Sequence, residues 1–138
     1  MAKLLGRLVR RMVAPFLAKI EFDFIIPIPA HARRLFFRGY NQALLMAMGF
    51  EEKKLFSQTL KKHKHTPSQV GLPREQRLKN IKNSFEVPQK YRSFLKNRRL
   101  LLFDDVITTG ATLNEAAKVL KKAGASKIYA LAIAKSTL

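Results

Sequence analysis

A chain of 138 residues has the length of one domain, and a hydrophobic content of 47% is enough for a buried core. It has no cysteine, which excludes disulfides and thiolate metal sites, and no apolar run long enough to span a bilayer, so we expect a soluble protein. The 27 Lys and Arg residues against 9 Asp and Glu give a net charge of +18. Polyanions are therefore the expected partners: nucleic acid, phosphorylated small molecules or an anionic membrane surface.

Residues 2–20 form a predicted basic, amphipathic helix. Its apolar side chains fall on one broad face, which comprises Leu4, Leu5, Leu8, Met12, Phe16 and Leu17. Pro15 is expected to kink or divide the helix. We predict that the apolar face packs on a sheet, and a membrane-surface helix or a targeting peptide is the alternative.

The first strand is predicted over residues 22–28, an apolar run that ends at two prolines. The basic loop that follows contains Arg34 and Arg38. In a parallel sheet this loop lies at the carboxyl edge, where grouped arginines can bind an anion through bidentate hydrogen bonds. Asn41 is placed to cap a helix from Gln42 to about Met48.

Residues 53–99 concentrate the positive charge, with 14 Lys and Arg residues against two Glu residues, a local net charge of +12. Leu55, Phe56 and Leu60 indicate a short strand, and the basic, polar segment after it contains His63 and His65, a weak metal pair without a nearby acid. Residues 88–99 read as a polar connection into the next strand.

The central strand is predicted at Leu100–Phe103, a continuous apolar run typical of a strand buried on both faces. Asp104 and Asp105 end the run, which places two carboxylates at the tip of the strand. A helix follows, because Leu113, Ala116, Ala117, Leu120 and Ala123 recur at helical spacing and Gly124 suits its C-terminal cap. A further buried strand is predicted at residues 127–134, which completes a β-α-β unit.

The loop between that strand and that helix has the composition of a phosphate site. It comprises Val106, Ile107, Thr108, Thr109, Gly110, Ala111 and Thr112. Hydroxyls and free N–H groups that lead into a helix N-terminus bind phosphate, whereas the two acids beside them suit sugar hydroxyls or a divalent cation. A site that binds a phosphate, a sugar diol and a metal ion together suits a phosphoribosyl group with its bound cation. The alternative without a ligand is an ordinary β-to-α turn in which the two Asp residues cap the helix.

This stretch resembles the motif of type I phosphoribosyltransferases that binds 5-phosphoribosyl-1-pyrophosphate (PRPP). The resemblance implies a mostly parallel central sheet flanked by helices, with Asp104 and Asp105 at the ribose hydroxyls and residues 106–112 at the 5′-phosphate. It also implies Mg²⁺ carried by the ligand, with no metal ligand from the protein other than the two acids. By position, Arg34 and Arg38 would bind the pyrophosphate.

Further residues narrow the resemblance to the ComF branch of this superfamily. They are Pro27, Pro29, Arg34, Arg38, Gly39, Tyr40, Asn41, Gln42 and Ala43, followed later by Gln69, Arg77, Asn80 and Phe85. Type I enzymes place a flexible hood loop over PRPP in this part of the chain, which predicts a basic hood at residues 61–77. The hood residues would be Lys61, Lys62, Lys64, Gln69 and Arg77.

The resemblance covers nearly all of residues 1–138, which we treat as a single phosphoribosyltransferase-like domain. ComF-like proteins usually begin with a Cys-rich, zinc-binding segment and more of the core, which this sequence lacks. Family membership implies a cytoplasmic role in natural competence, with single-stranded DNA and DNA-uptake proteins as partners. Phe36, Phe37 and Tyr40 could stack on bases, although for the two phenylalanines we favour a core position.

Three functions remain open from the sequence. The first is a ComF-type protein that binds PRPP with Mg²⁺ during DNA uptake. The second is an active phosphoribosyltransferase in base salvage, and the third is a non-catalytic module that senses PRPP or binds nucleic acid. No motif in the sequence indicates a site for an acceptor base or a general base.

Overall fold

The structure of the chain is a computed structural model, which describes residues 2–30, 36, 39–49, 54–62 and 73–136. The helices that it defines are α1 (Ala2–Leu17), α2 (Gln42–Ala47), α3 (Arg74–Ile81), α4 (Gln89–Leu95) and α5 (Ala111–Lys122). The strands are β1 (Phe24–Pro27), β2 (Lys61–Lys62), β3 (Phe85–Glu86), β4 (Arg99–Ile107) and β5 (Lys127–Lys135).

Strands β1, β4 and β5 form a parallel sheet with β4 in the centre. The β1 pairing runs from Phe24 opposite Leu100 to Pro27 opposite Phe103. On the other side, β5 follows β4 over its whole length, and α5 connects the two strands. The predicted α/β fold with a parallel central sheet is thereby confirmed. Strands β2 and β3 form a separate antiparallel pair.

The side chains of β1 and β4 alternate between two layers of helices, which is why both strands are apolar at successive positions. On one face, the sheet packs against α1 and α2 through Ile25, Leu101, Phe103, Val9, Val13, Ala43, Met46 and Ala47. On the other face, it packs against α4, α5 and the β3 region through Ile26, Leu100, Leu102, Leu95, Leu113, Ala116, Leu120 and Phe85.

Helix α1 packs on the fold as predicted, but through a different stripe. Gly6, Val9 and Val13 are buried, whereas the predicted contact residues Leu4, Leu5, Leu8, Met12 and Phe16 are exposed. The reason is a close approach of backbones, since a Cβ built on Gly6 would lie 2.5 Å from the Cα of Gly49. This contact determines which stripe of α1 turns inward. Pro15 lies in the last turn, and the helix continues through it to Leu17.

Several elements differ from the sequence prediction. Residues 88–99 are not a plain connection, because α4 occupies Gln89–Leu95. The short strand expected around Leu55 is reduced to one bridge with Ile25, and Phe56 N–H donates to the Ile25 carbonyl at 2.9 Å. Phe36 is not core, since its side chain is 85% exposed. The core on the α1 and α2 face of the sheet contains Ala43, Met46 and Ala47 of α2 instead.

Hydrogen bonds and ion pairs between Asp23 and Arg99 stabilise the amino edge of the sheet. Arg99 N–H donates to Asp23 Oδ2 at 2.8 Å, and its guanidinium pairs with Asp23 at 3.2 Å and with Glu21 at 2.6 Å. These contacts hold the pKa of Asp23 below its ordinary value, the backbone hydrogen bond first. A cavity of about 800 Å³ opens here. We do not assign the site to it, because parallel sheets bind ligands at their carboxyl edge.

Candidate functional site

The two acids directly follow Phe103, the last residue of β4 that pairs with β1. Ile28 N–H donates to the Phe103 carbonyl at 2.8 Å, and the next residues of β4 are Asp104 and Asp105. They are not at the tip of β4 as predicted, because pairing with β5 carries the strand on to Ile107. The carboxylates therefore project from a fixed strand rather than from a loop.

Asp104 and Asp105 are both partly buried and interact with each other. Asp105 N–H donates to Asp104 Oδ1 at 2.9 Å. Burial, followed by the side-chain hydrogen bond and the negative charge of Asp105, raises the pKa of Asp104 to about 7, whereas the hydrogen bond from Asp105 N–H and the positive charge of Lys62 lower it. Burial and the neighbouring carboxylate disfavour the ionised form of Asp104. Hydroxyl donors or a cation brought by a ligand would stabilise that form.

We expect replacement of this carboxyl to change the pH dependence of stability. Since the folded-state pKa of Asp104 lies above its ordinary value of 3.8, its contribution to stability is fully present below pH 3.8 and is lost as the pH rises through 7. Asp104→Asn keeps the acceptor for Asp105 N–H but cannot ionise. Its stability relative to the parent protein should rise by about 4 kcal/mol between pH 4 and pH 8, since a shift of about three pKa units corresponds to that free energy. Urea unfolding at both pH values measures this, and an unchanged difference would contradict it.

The loop after β4 is short and leads directly into α5. Gly110 adopts a left-handed conformation with φ +79°, which its lack of a side chain permits, and Thr109 Oγ1 accepts a hydrogen bond from Ala111 N–H at 3.3 Å. The N-cap residue Gly110 has no side chain to cap the helix, and among the described residues Thr109 alone offers a side-chain acceptor to its first turn. Among the described residues, the N–H groups of Thr112 and Leu113 have no acceptor. Free amides at a helix N-terminus are an anion-binding arrangement.

Asn41 fastens the two ends of the loop that carries the predicted pyrophosphate arginines. Its Nδ2 donates to the Ile28 carbonyl at the end of β1 at 3.0 Å, and its Oδ1 accepts from Leu44 N–H in the first turn of α2 at 3.4 Å. The predicted cap is confirmed, and it also closes the loop at the carboxyl edge, beside the acids.

Asn41→Ala removes both hydrogen bonds, so we expect a loss of about 1–2 kcal/mol in the free energy of unfolding. Asn41→Ser keeps a capping oxygen but is too short to reach Ile28, so its loss should be about half as large. Chemical denaturation of the two variants measures this ranking. Equal stability of all three proteins would show that the loop is held by other contacts.

The base of the predicted hood influences the acids through the charge of Lys62. Strand β2 pairs with β3, with Lys62 opposite Phe85. This pairing holds together the two ends of the segment between Lys62 and Phe85. The charge of Lys62 acts on Asp104, and Asn83 N–H donates to Glu115 Oε1 of α5 at 3.0 Å. Part of the segment predicted as a flexible hood is therefore strand and helix, because Arg74–Ile81 form α3.

Some predicted site residues lie outside the described part of the chain. These are Arg34, Arg38, Phe37, His63, Lys64, His65 and Gln69, and the side chain of Arg77. The residues that the structure brings to one edge are Asp104, Asp105, the loop of residues 106–112 and Lys62. Sequence reasoning missed the charge effect of Lys62 on Asp104 and the second role of Asn41, since both depend on pairing between distant segments.

Comparison with known proteins identifies the family of this chain. A model of the phosphoribosyl transferase domain matches residues 2–136. This chain belongs to the phosphoribosyl transferase domain family. The match covers the acids, the loop and the start of α5 described above, and their role in binding a ligand remains a prediction.

Relatives at the sequence level are competence and DNA utilization proteins, which confirms the ComF resemblance. Competence protein F of Haemophilus influenzae is 38% identical over 117 residues, covering 83% of this chain and 51% of that protein. Competence protein ComFC of Streptococcus pneumoniae is 32% identical over 134 residues, covering 88% and 54%. DNA utilization protein YhgH of Escherichia coli K12 is 31% identical over 111 residues, covering 77% and 46%. The chain thus spans about half the length of these relatives.

Solved structures support the fold. The purine phosphoribosyltransferase of Pyrococcus horikoshii superposes with a TM-score of 0.57 at 20% identity, covering 96% of this chain and 74% of that one. The glutamine PRPP amidotransferase of B. subtilis superposes with a TM-score of 0.58 at 18% identity, covering 95% and 25%. At these identities the likeness concerns the fold alone.

Proposed function

We propose that this chain binds PRPP, or a related phosphoribosyl compound, together with Mg²⁺, and that it acts in the uptake or use of DNA. The observation that carries the proposal is the juxtaposition of two partly buried carboxylates with an uncapped helix N-terminus at one sheet edge. The amides suit the 5′-phosphate, and the carboxylates suit the ribose hydroxyls.

Each part of the ligand has a counterpart in the chain. In this proposal Thr108, Thr109 and Thr112 add hydroxyl donors to the amides of the phosphate loop. Arg34 and Arg38 bind the pyrophosphate from the loop that Asn41 fastens at the same edge. Of the hood residues, Lys61, Lys62, Lys64 and Arg77 supply further positive charge above it and Gln69 supplies an amide, and the charge of Lys62 already acts on Asp104.

The donor set fits a magnesium ion that arrives with its ligand. Among the described residues, no group of three or more His, Cys, Asp or Glu is arranged to hold a metal. Two carboxylates beside a phosphate site are what Mg²⁺ uses when substrate oxygens and water complete its coordination. Asp104 and Asp105 would be the acidic residues nearest the ion, which neutralises pyrophosphate charge when bound.

Thermal unfolding with matched ligands tests which part of the compound is recognised. PRPP with Mg²⁺ should raise the unfolding temperature more than ribose 5-phosphate, and ribose 5-phosphate more than ribose, because each step removes a charged group that the site is built to bind. Pyrophosphate with Mg²⁺ is the control for non-specific binding of anions to a basic protein. An equal effect of pyrophosphate and PRPP would argue against a phosphoribosyl site.

The role in DNA handling is supported by the named relatives and by the net charge of +18. We propose single-stranded DNA as a partner, bound through its phosphates to the basic surface. Gel-shift titration at physiological salt tests this part independently of PRPP. Absence of a complex would leave the ligand site standing and remove nucleic acid from the proposal.

An active transferase is a second candidate, favoured by the paired strands that bring the base of the hood to the acids. A closing hood would exclude water from the oxocarbenium-like state that forms as pyrophosphate leaves, and cations would stabilise the leaving group. A panel of purines and pyrimidines with PRPP and Mg²⁺ should then release pyrophosphate. If no base causes release of pyrophosphate although PRPP binds, a sensing role is favoured.

A further inference from the structure

Helix α1 has an apolar surface that the described part of the chain does not bury. The exposed fractions of its side chains are 63% for Leu4, 40% for Leu5, 50% for Leu8, 63% for Met12 and 64% for Phe16. At 3.6 residues per turn, these five residues form one continuous flank next to the buried stripe of the helix. We call them the apolar flank. Large apolar surface of this kind marks an interaction site.

The same helix is purely basic. Residues 2–17 contain four Lys and Arg residues and no acid. Arg7, Arg10 and Arg11 are exposed, and none of them takes part in an ion pair within the described residues. Leu4 and Leu8 line one groove of about 380 Å³ together with these three arginines. Apolar and cationic groups therefore face the same space.

We propose that α1 docks this protein on an anionic membrane surface. The apolar flank would enter the boundary between headgroups and acyl chains, and the arginines would remain at the level of the lipid phosphates. Binding of such a helix depends on its buried apolar area together with its attraction to anionic lipid. None of the described helices is long and apolar enough to cross a bilayer, so the proposed contact is with the surface alone.

Charge argues for a membrane over a second copy of the chain. Two molecules with a net charge of +18 would have to bring together two helices that carry only positive charge. An anionic surface attracts the same face instead.

Sedimentation with lipid vesicles tests the proposal on the full chain. Vesicles of phosphatidylcholine mixed with phosphatidylglycerol should bind the protein, and vesicles of phosphatidylcholine alone should not. Leu8→Gln with Met12→Gln should weaken binding to the anionic vesicles about tenfold or more, because two apolar side chains no longer gain by leaving water. Leu4→Gln with Phe16→Gln should act in the same direction.

A matched control makes the same chemical changes elsewhere. Leu78 and Met48 are 46% and 44% exposed on other parts of the surface, so Leu78→Gln with Met48→Gln should leave vesicle binding unchanged. The proposal is overturned if anionic vesicles do not bind the protein, or if both pairs of substitutions bind as the parent does. It is also overturned if light scattering shows a dimer that only the flank variants dissociate, since a second copy would then cover the flank.

Discussion

Asp104→Ala combined with Asp105→Ala should abolish PRPP binding while the fold remains intact. The two carboxylates are proposed to accept the ribose hydroxyls and to stand nearest the magnesium ion. A hydrogen bond to a charged group contributes about 1.5–3 kcal/mol, so loss of two should weaken binding by about 100-fold or more. The fold should tolerate the change, since both side chains are only partly buried and repel each other. Titration calorimetry and circular dichroism measure the two effects.

The control must remove the same charge without touching the site. Glu21 lies at the opposite, amino edge of the sheet with its side chain 85% exposed, so Glu21→Ala removes one carboxylate away from the site and is the control for Asp104→Ala and Asp105→Ala made singly. PRPP binding by this control should stay within about twofold of the parent, since exposed charges outside a site are screened by salt. Normal PRPP binding by the Asp104 and Asp105 double variant would show that the ligand does not use these acids.

The second large effect is expected where α1 meets α2. In an exposed helix, Gly→Ala normally stabilises by about 1 kcal/mol. For Gly6→Ala we expect the opposite sign, a loss of about 2–4 kcal/mol, because the new Cβ would lie 2.5 Å from Gly49 Cα and backbone cannot yield as a side chain can. Chemical denaturation measures the sign directly.

Two further glycine substitutions make this test specific. A Cβ on Gly49 would lie 2.1 Å from Gly6 Cα, so Gly49→Ala should destabilise at least as much. Gly39 has φ +76° and open space around it, so Gly39→Ala should cost only about 1 kcal/mol of backbone strain. If Gly6→Ala stabilised the protein as helix propensity predicts, the close packing of α1 on α2 would be wrong.

The central strand, the loop after it and the following helix were predictable because their signals are local. An apolar run at Leu100–Phe103, two acids, a hydroxyl-rich loop and a helical repeat follow one another within 25 residues or so, and each constrains only its own neighbourhood. The Asn41 cap was predictable for the same reason. The roles of Asp104, Asp105 and the loop in binding a ligand remain predictions.

Features that depend on distant segments were not predictable. The end of β4 is set by its pairing with β5 as far as Lys135, which no property of residues 104–107 reveals. Helix α4 buries only Leu95, so its seven residues show no usable apolar period. The inward stripe of α1 is chosen by contact with Gly49, whereas the sequence offers a wider apolar face with no sign of which part is covered.

Calorimetric titration of PRPP into the protein, with and without Mg²⁺, tests the central claim most directly. We expect saturable binding at one site that requires the metal and disappears in the Asp104 and Asp105 double variant. No heat of binding at millimolar PRPP with Mg²⁺ present would contradict the account. The acids and the uncapped α5 would then be a phosphoribosyltransferase site in shape alone.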